Sequence, residues 1–231
     1  DEAKDLAARG VKELVVVAQD TTRYGEDLYE KQLLPKLLEE LCKIDGFVWI
    51  RTLYCYPERI TDELLDVIAR EDKLAKYLDI PLQHCSKDVL KAMNRTGNRE
   101  SLTALMQKIR QRIPGITLRT TLIAGFPGET EENFEELMEF VKEIRFERLG
   151  CFAYSAEEGT RAAAMKDQIP EEIKQQRADQ RKEDTKLSRT AEQRGFRVGD
   201  KRTEVGHRTY AHEDQGRQNC PFIQFVEIIQ Q

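Results

Sequence analysis

Polar and aromatic residues follow each of the apolar, strand-like segments of this 231-residue chain. At the carboxyl ends of four of these segments stand Gln19, Asp20, Tyr54, Tyr56, Gln83, His84 and Tyr154. Polar side chains are costly to bury unless water, a partner or a ligand satisfies them. The pattern therefore predicts that these residues share one ligand site, and ordinary loop composition is the alternative.

The remaining segment, residues 116–124, carries Arg119 and Thr121 and runs into the sequence Gly-Phe-Pro-Gly-Glu. Residues two apart in a strand point to the same face. An inward-facing Arg119 requires an acid or a bound carboxylate, and Asp20 is the acid we expect; an outward-facing Arg119 is the alternative. Gly125 and Gly128 suit close approach of a ligand to the backbone, but they suit a tight turn equally well.

Neither the histidines nor the cysteines form a metal-binding pattern. His84 is either an acid–base group or a histidine that is only hydrogen-bonded at a strand end, and we favour the second.

The five cysteines lie at positions 42, 55, 85, 151 and 220, never closer than 13 residues. Zinc and iron–sulfur ligands usually include pairs two to four residues apart. We therefore predict reduced thiols, several of them buried as small apolar side chains.

Strand-like and helix-like segments alternate along residues 1–180. The predicted strands are 13–18, 47–54, 77–82, 116–124 and 149–154, and helices are predicted to begin near residues 28, 60, 86, 102, 130 and 170. Apolar strands joined by helices are typical of parallel sheets. No glycine fingerprint follows the first strand, which argues against a dinucleotide-binding fold. We predict an α/β fold, a complete or partial (β/α) barrel, with its functional residues at the carboxyl ends of the strands.

Composition excludes several classes of protein and separates off the last 51 residues. The net charge is −5 and no run of ~18 apolar residues occurs, so neither general nucleic-acid binding nor a membrane span is indicated.

Residues 181–219 contain seven apolar residues, too few for a core. We therefore predict one domain at 1–180 and an irregular tail at 181–231, in which 221–229 is a stray strand or an aggregation-prone segment.

Five ordered segments resemble the radical S-adenosylmethionine methylthiotransferases, and the resemblance extends from residue 1 to about 180. The segments are 17–25, 51–57, 80–84, 118–130 and 152–160. The branch resembled is the RimO type, which methylthiolates the β-carbon of an aspartate in a small-subunit ribosomal protein. The tRNA-adenosine branch (MiaB type) and a non-catalytic cofactor- or substrate-binding fragment are the alternatives.

The resemblance implies a cofactor, partners and site residues. It implies a partial radical SAM barrel that uses S-adenosylmethionine and two 4Fe-4S clusters, an electron donor protein, a ribosomal protein substrate, and a cytoplasmic location away from membranes. The cofactor-binding residues that it implies are Gln83, Arg119, Thr121, Gly125, Phe126 and Gly128. The residues that it places at the cofactor or substrate opening are Gln19, Asp20, Tyr54, Tyr56, His84 and Tyr154.

The chain also departs from this family. The family's Cys-x3-Cys-x2-Cys loop and first barrel strand precede the region that Asp1 matches, and no cysteine here has that spacing. A TRAM domain is not recognisable after residue 180. We therefore expect this chain alone to bind no cluster and to be inactive. We also expect its first strand to present a bare parallel edge.

Overall fold

The computed structural model of the chain describes residues 1–180 and a strand at 223–227. The helices are Glu2–Ala8 (α1), Glu26–Tyr29 (α2), Leu34–Cys42 (α3), Asp62–Arg70 (α4), Lys87–Ala92 (α5), Arg99–Arg112 (α6), Glu131–Ile144 (α7) and residues 171–180 (α8). The strands are Glu13–Val17 (β1), Trp49–Thr52 (β2), Tyr77–Asp79 (β3), Thr117–Ala124 (β4), Arg148–Ala153 (β5) and Ile223–Glu227 (β6). No helix in this described part is long and apolar enough to cross a bilayer.

All of these strands pair in parallel. They form two three-stranded sheets, ordered β6-β1-β2 and β3-β4-β5. A single parallel bridge, between Ile50 of β2 and Leu74 just before β3, links the two sheets. Each successive pair from β1 to β5 is joined through at least one helix, as parallel strands require. The predicted α/β fold with a partial barrel of parallel strands is confirmed.

The alternation of buried residues in β4 shows how the sheet divides its faces. Leu118 and Leu122 are fully buried beneath the helices, whereas Arg119 and Thr121 lie on the opposite, concave face. Three of the helices, α4, α6 and α7, begin with a side-chain N-cap. Thr130, for example, accepts a hydrogen bond from the Asn133 amide at the start of α7.

Two predicted elements end earlier than expected, each for a local reason. The strand predicted at 77–82 ends at Asp79, because Pro81 has no amide hydrogen for the ladder. The helix predicted from residue 28 is split, because Glu30 adopts a left-handed conformation and a new helix begins at Leu34 with Pro35 in its first turn.

The prediction of a bare edge on β1 is wrong. Strand β6 pairs with β1 in parallel, from Glu13 opposite Ile223 to Val17 opposite Glu227. A parallel edge exposes backbone donors and acceptors, so it accepts any extended segment that reaches it. The strand predicted within 221–229 is therefore found, while the irregular tail predicted for the rest of 181–231 lies outside the described residues.

Candidate functional site

Three neighbouring strands leave the sheet through a residue in the left-handed conformation. These residues are Tyr54 after β2 (φ 56°), Gln83 after β3 (φ 69°) and Gly125 after β4 (φ 76°). Such conformations cost a non-glycine residue about 1–3 kcal/mol and persist only where the surrounding structure fixes them. They cluster at functional sites more often than elsewhere, and here all three lie at the carboxyl ends of the strands.

Arg119 faces the concave interior, but its acid partner is Asp79 rather than Asp20. The Nε atom of Arg119 lies 3.8 Å from Oδ1 of Asp79, because the two residues are directly opposite in the register of β3 and β4. The Asp79 side chain is 2% exposed and that of Arg119 is 48% exposed. Burial raises the pKa of Asp79, and the nearby Arg119 partly opposes that rise.

Asp20 is occupied by the loop that follows β1. Its carboxylate accepts hydrogen bonds from the Thr22 amide and the Thr22 hydroxyl, and so caps a short 3-10 helix. Its nearest cation is Arg59, whose Nε is 3.6 Å away. The expectation that Asp20 would pair with Arg119 fails, because this cap and Arg59 already hold the carboxylate.

A cavity of about 340 Å³ opens beside Gln83 and Phe126. Its other lining residues are Ala92, Met93, Asn94, Arg95, Ile123, Arg161 and Ala162. The Phe126 ring packs edge-on against Tyr154, with 5.2 Å between the ring centroids. Within the described chain, Oε1 of Gln83 and the Tyr154 hydroxyl are buried without a hydrogen-bond partner. The cavity is mainly apolar, and one of its lining residues, Gln83, carries an unsatisfied amide oxygen.

Two backbone amides of the loop from Gly125 to Glu129 already have hydrogen-bond acceptors within the protein. The Gly125 amide donates to Oε2 of Glu129, and the Gly128 amide donates to the Asp167 carbonyl, both at 2.9 Å. A Cβ at Gly125 would lie 2.5 Å from Cγ of Lys174, so the close approach that requires this glycine is to α8. The space beside Gly128 is open.

His84 is fully buried and lies behind this loop. Its Nδ1 accepts a hydrogen bond from the Ser86 amide at 2.9 Å, so in the neutral ring the proton is on Nε2. Nε2 lies 3.5 Å from Oε2 of Glu129. The geometry agrees with the hydrogen-bonded histidine that we favoured, and it keeps His84 away from the opening where the resemblance placed it.

The remaining predicted residues are spread around the same end of the sheet. Gln19 is exposed, and Tyr54 is 44% exposed. The Tyr56 ring is covered by the guanidinium of Arg95, 4.4 Å from the ring centroid, and Arg95 also donates to the Pro81 carbonyl. Tyr56 is thereby fixed by protein contacts, whereas Tyr54 and Gln19 remain accessible to a large ligand.

The described cysteines do not fit an iron–sulfur cluster. Cys42, Cys55, Cys85 and Cys151 are buried, and burial raises the pKa of Cys55 to about 12 and that of Cys42 to about 11. Cluster ligands are thiolates gathered in one place. Across residues 1–180, no three potential metal ligands come together.

The family follows from a comparison that covers most of the described chain. The model of the Radical SAM superfamily matches residues 1–141. The chain belongs to the radical SAM superfamily. It is 18% identical to coproporphyrinogen III oxidase (HemN) from Escherichia coli, with a TM-score of 0.55 over 83% of this chain and 55% of that one. The radical SAM methyltransferase TsrM from Kitasatospora setae gives a TM-score of 0.51 over 66% and 28% of the two chains, at 18% identity. Both comparisons show the shared fold.

Two curated relatives are much more similar in sequence. The chain is 60% identical over 174 residues to "Ribosomal protein uS12 methylthiotransferase RimO" of Lachnoclostridium phytofermentans, covering 75% of this chain and 40% of the relative. It is 54% identical over 180 residues to the protein of the same name from Clostridium tetani, covering 78% and 40%. The chain thus spans about two fifths of the length of these relatives.

Sequence reasoning missed three residues that organise this end of the sheet. Asp79 stands at a strand end, and only the register of β3 against β4 shows that it meets Arg119. Glu129 was visible in the glycine-rich segment, but its contact with Arg177 joins residues 48 positions apart. No periodicity or spacing in the sequence indicates that second contact.

Proposed function

We propose that this chain is the barrel core of a ribosomal protein uS12 methylthiotransferase and that its opening binds the adenosyl group of S-adenosylmethionine. The names of the two relatives support the reaction and the substrate. The cavity beside Gln83 and Phe126 carries the cofactor assignment, because it combines apolar walls with one buried, unsatisfied acceptor.

The residues that line the cavity suit adenosine in polarity. Ile123 and Phe126 supply apolar surface for the faces of a purine ring. Oε1 of Gln83 is an acceptor without a donor, and adenosine offers donors in its exocyclic amine and its ribose hydroxyls. A ligand that satisfied this oxygen would remove the free-energy cost of leaving it unpaired.

The methionine part of the cofactor would lie toward the concave face of β4. Arg119 is the half-exposed cation there, and it suits a carboxylate. The buried Oδ1 of Asp79 has no hydrogen-bond partner in the described chain, and it suits an ammonium group. Thr121 lies on the same face as Arg119, between that cation and the adenosyl cavity.

Reductive cleavage of the cofactor would require clusters that the described cysteines do not fit, so we derive no catalytic step for this chain. We propose that the clusters, the electron donor protein and the cytoplasmic location belong to a methylthiotransferase of the length of those relatives. A non-catalytic module that binds the adenosyl group is the second candidate. The four buried, dispersed thiols favour it for this chain alone.

The proposal is tested separately for substrate and for reaction. A labelled uS12 peptide that carries the target aspartate should bind the full chain more tightly than the same peptide with alanine there, as measured by fluorescence anisotropy. Equal binding of both peptides would contradict the substrate assignment.

After anaerobic incubation with iron, sulfide, a reductant and S-adenosylmethionine, we expect no 5′-deoxyadenosine. Formation of 5′-deoxyadenosine would overturn the claim that this chain is inactive.

A further inference from the structure

A buried ion pair joins Glu129, at the end of the loop from Gly125 to Glu129, to Arg177 of α8. The Glu129 carboxylate is fully buried, and its Oε1 accepts a hydrogen bond from Nη1 of Arg177 at 2.7 Å. Nη1 also lies 3.3 Å from the Glu129 carbonyl oxygen, and Nη2 donates to Glu131 at 2.8 Å. Three acceptors thus hold the Arg177 side chain of α8 against the loop.

The other oxygen of Glu129 closes the loop onto itself. Oε2 accepts the Gly125 amide hydrogen at 2.9 Å, while the Glu129 amide donates to the Phe126 carbonyl at 2.9 Å. Both bonds enclose Phe126, whose ring lines the 340 Å³ cavity. The orientation of the residue that faces the cavity therefore depends on where the Glu129 carboxylate is held.

Helix α8 contacts the loop at a second point. The Lys174 side chain packs against Gly125 so closely that a Cβ there would meet it at 2.5 Å. The Lys174 ammonium lies 5.3 Å from the centroid of the Tyr154 ring, and Tyr154 in turn packs edge-on against Phe126. The helix thus supports both the first residue of the loop and the aromatic ring behind Phe126.

We propose that Glu129 is a positioning residue for the adenosyl cavity. By accepting the Gly125 amide hydrogen it fixes Phe126 against the ligand, and Arg177 of α8 holds the carboxylate in place for that task. The ligand class rests on the function proposed above. A purely structural alternative is that the ion pair serves only to dock α8, in which case the Gly125 bond is incidental to binding.

Two matched double variants separate these explanations. Arg177→Met with Glu129→Gln, and Arg177→Met with Glu129→Met, both remove the ion pair completely. Removing both partners leaves no unpaired buried charge, so folding is retained more readily than after a single substitution. Only the glutamine variant keeps an oxygen that can accept from the Gly125 amide.

The binding measurement uses S-adenosylhomocysteine as the probe, titrated calorimetrically into the full chain. We expect the methionine double variant to bind at least about tenfold more weakly than the glutamine one, since an unmade buried hydrogen bond has a cost of that order. Equal affinity of the two variants would overturn the proposal and leave α8 docking as the role of the pair.

A second measurement does not depend on the ligand. Amide hydrogen exchange at Gly125, followed by NMR, should be slow in the wild-type chain and in the glutamine variant, and at least about tenfold faster in the methionine variant. Fast exchange at Gly125 in the wild-type chain would overturn the proposal even if neither variant folded. Slow exchange with no probe binding by the wild-type chain would retain the loop bond but reject the adenosyl function.

Discussion

Asp79 and Arg119 face each other across β3 and β4, with Oδ1 of the carboxylate 3.8 Å from Nε of the guanidinium. The carboxylate is buried while the guanidinium is half exposed, so most of the cost of burial falls on the acid. The pair therefore leaves Arg119 accessible to a second anion. Its two members should therefore respond differently to substitution.

Asp79→Asn should stabilise the chain at neutral pH. Burial raises the folded-state pKa of Asp79 above the ordinary value, so the folded state binds this proton more tightly than the unfolded chain. The wild-type protein is then favoured at low pH and loses that contribution as the pH rises through the folded-state pKa. We expect the variant to unfold about 2 °C or more higher at neutral pH, with a difference that shrinks toward about pH 4.

The control for this prediction is Asp66→Asn, because Asp66 is a half-exposed acid on α4 paired with Arg112. Its effect on thermal unfolding should be small at both pH values. A lower unfolding temperature for Asp79→Asn at neutral pH would contradict our account of Asp79.

Arg119→Gln should weaken binding of ligands that carry the amino-acid part of the cofactor. We expect affinity for S-adenosylhomocysteine to fall about tenfold or more, the usual effect of losing a hydrogen bond to a charged group. Affinity for 5′-methylthioadenosine, which has no carboxylate, should change by less than about twofold. Parallel calorimetric titrations measure both, and equal losses for the two ligands would remove Arg119 from the proposed carboxylate site.

The described cysteines should resist alkylation in the folded chain. Cys55 is completely buried and its thiol has a pKa of about 12, so almost no thiolate is present at neutral pH. We expect iodoacetamide followed by peptide mass spectrometry to leave Cys42, Cys55, Cys85 and Cys151 unmodified until denaturant is added. Rapid labelling of Cys55 under native conditions would show that the barrel interior opens to solvent.

Thr130→Ala should destabilise α7, the helix that follows the loop from Gly125 to Glu129. Thr130 is exposed, and its hydroxyl accepts from the Asn133 amide while the Asn133 side chain accepts from the Thr130 amide. Losing an N-cap typically costs about 1 kcal/mol, or roughly 2–4 °C in the thermal midpoint of a domain of this size. Thr130→Ser keeps the hydroxyl and should unfold like the wild type; a similar loss in both variants would point to the methyl group instead.

The sequence predicts the framework of this molecule better than it predicts the contacts of the site. Apolar residues such as Leu118 and Leu122 fix the strands locally, and the two-residue period places Arg119 and Thr121 on one face. The partner of Arg119 depends on the register between two strands, which a local pattern does not contain. The left-handed conformations of Tyr54 and Gln83 were equally invisible, because neither is a residue type that prefers them.

The glycine-rich loop is likewise predictable from the sequence in its residue types but not in its contacts. Its glycines were recognised as sites of close approach, but either a ligand or a turn could have used them. The structure shows that Lys174 of α8 fills the space at Gly125. That contact is made across 49 residues of sequence, and only the packed fold determines it.

Binding of an adenosyl group in the cavity beside Gln83 and Phe126 can be measured by calorimetric titration of the full chain, and of Gln83→Leu, with S-adenosylhomocysteine. We predict saturable binding of one ligand per chain that weakens about tenfold or more in the variant, because leucine has a similar volume but no acceptor oxygen. No saturable binding by a wild-type chain that still unfolds cooperatively, or equal binding by both proteins, would contradict the account.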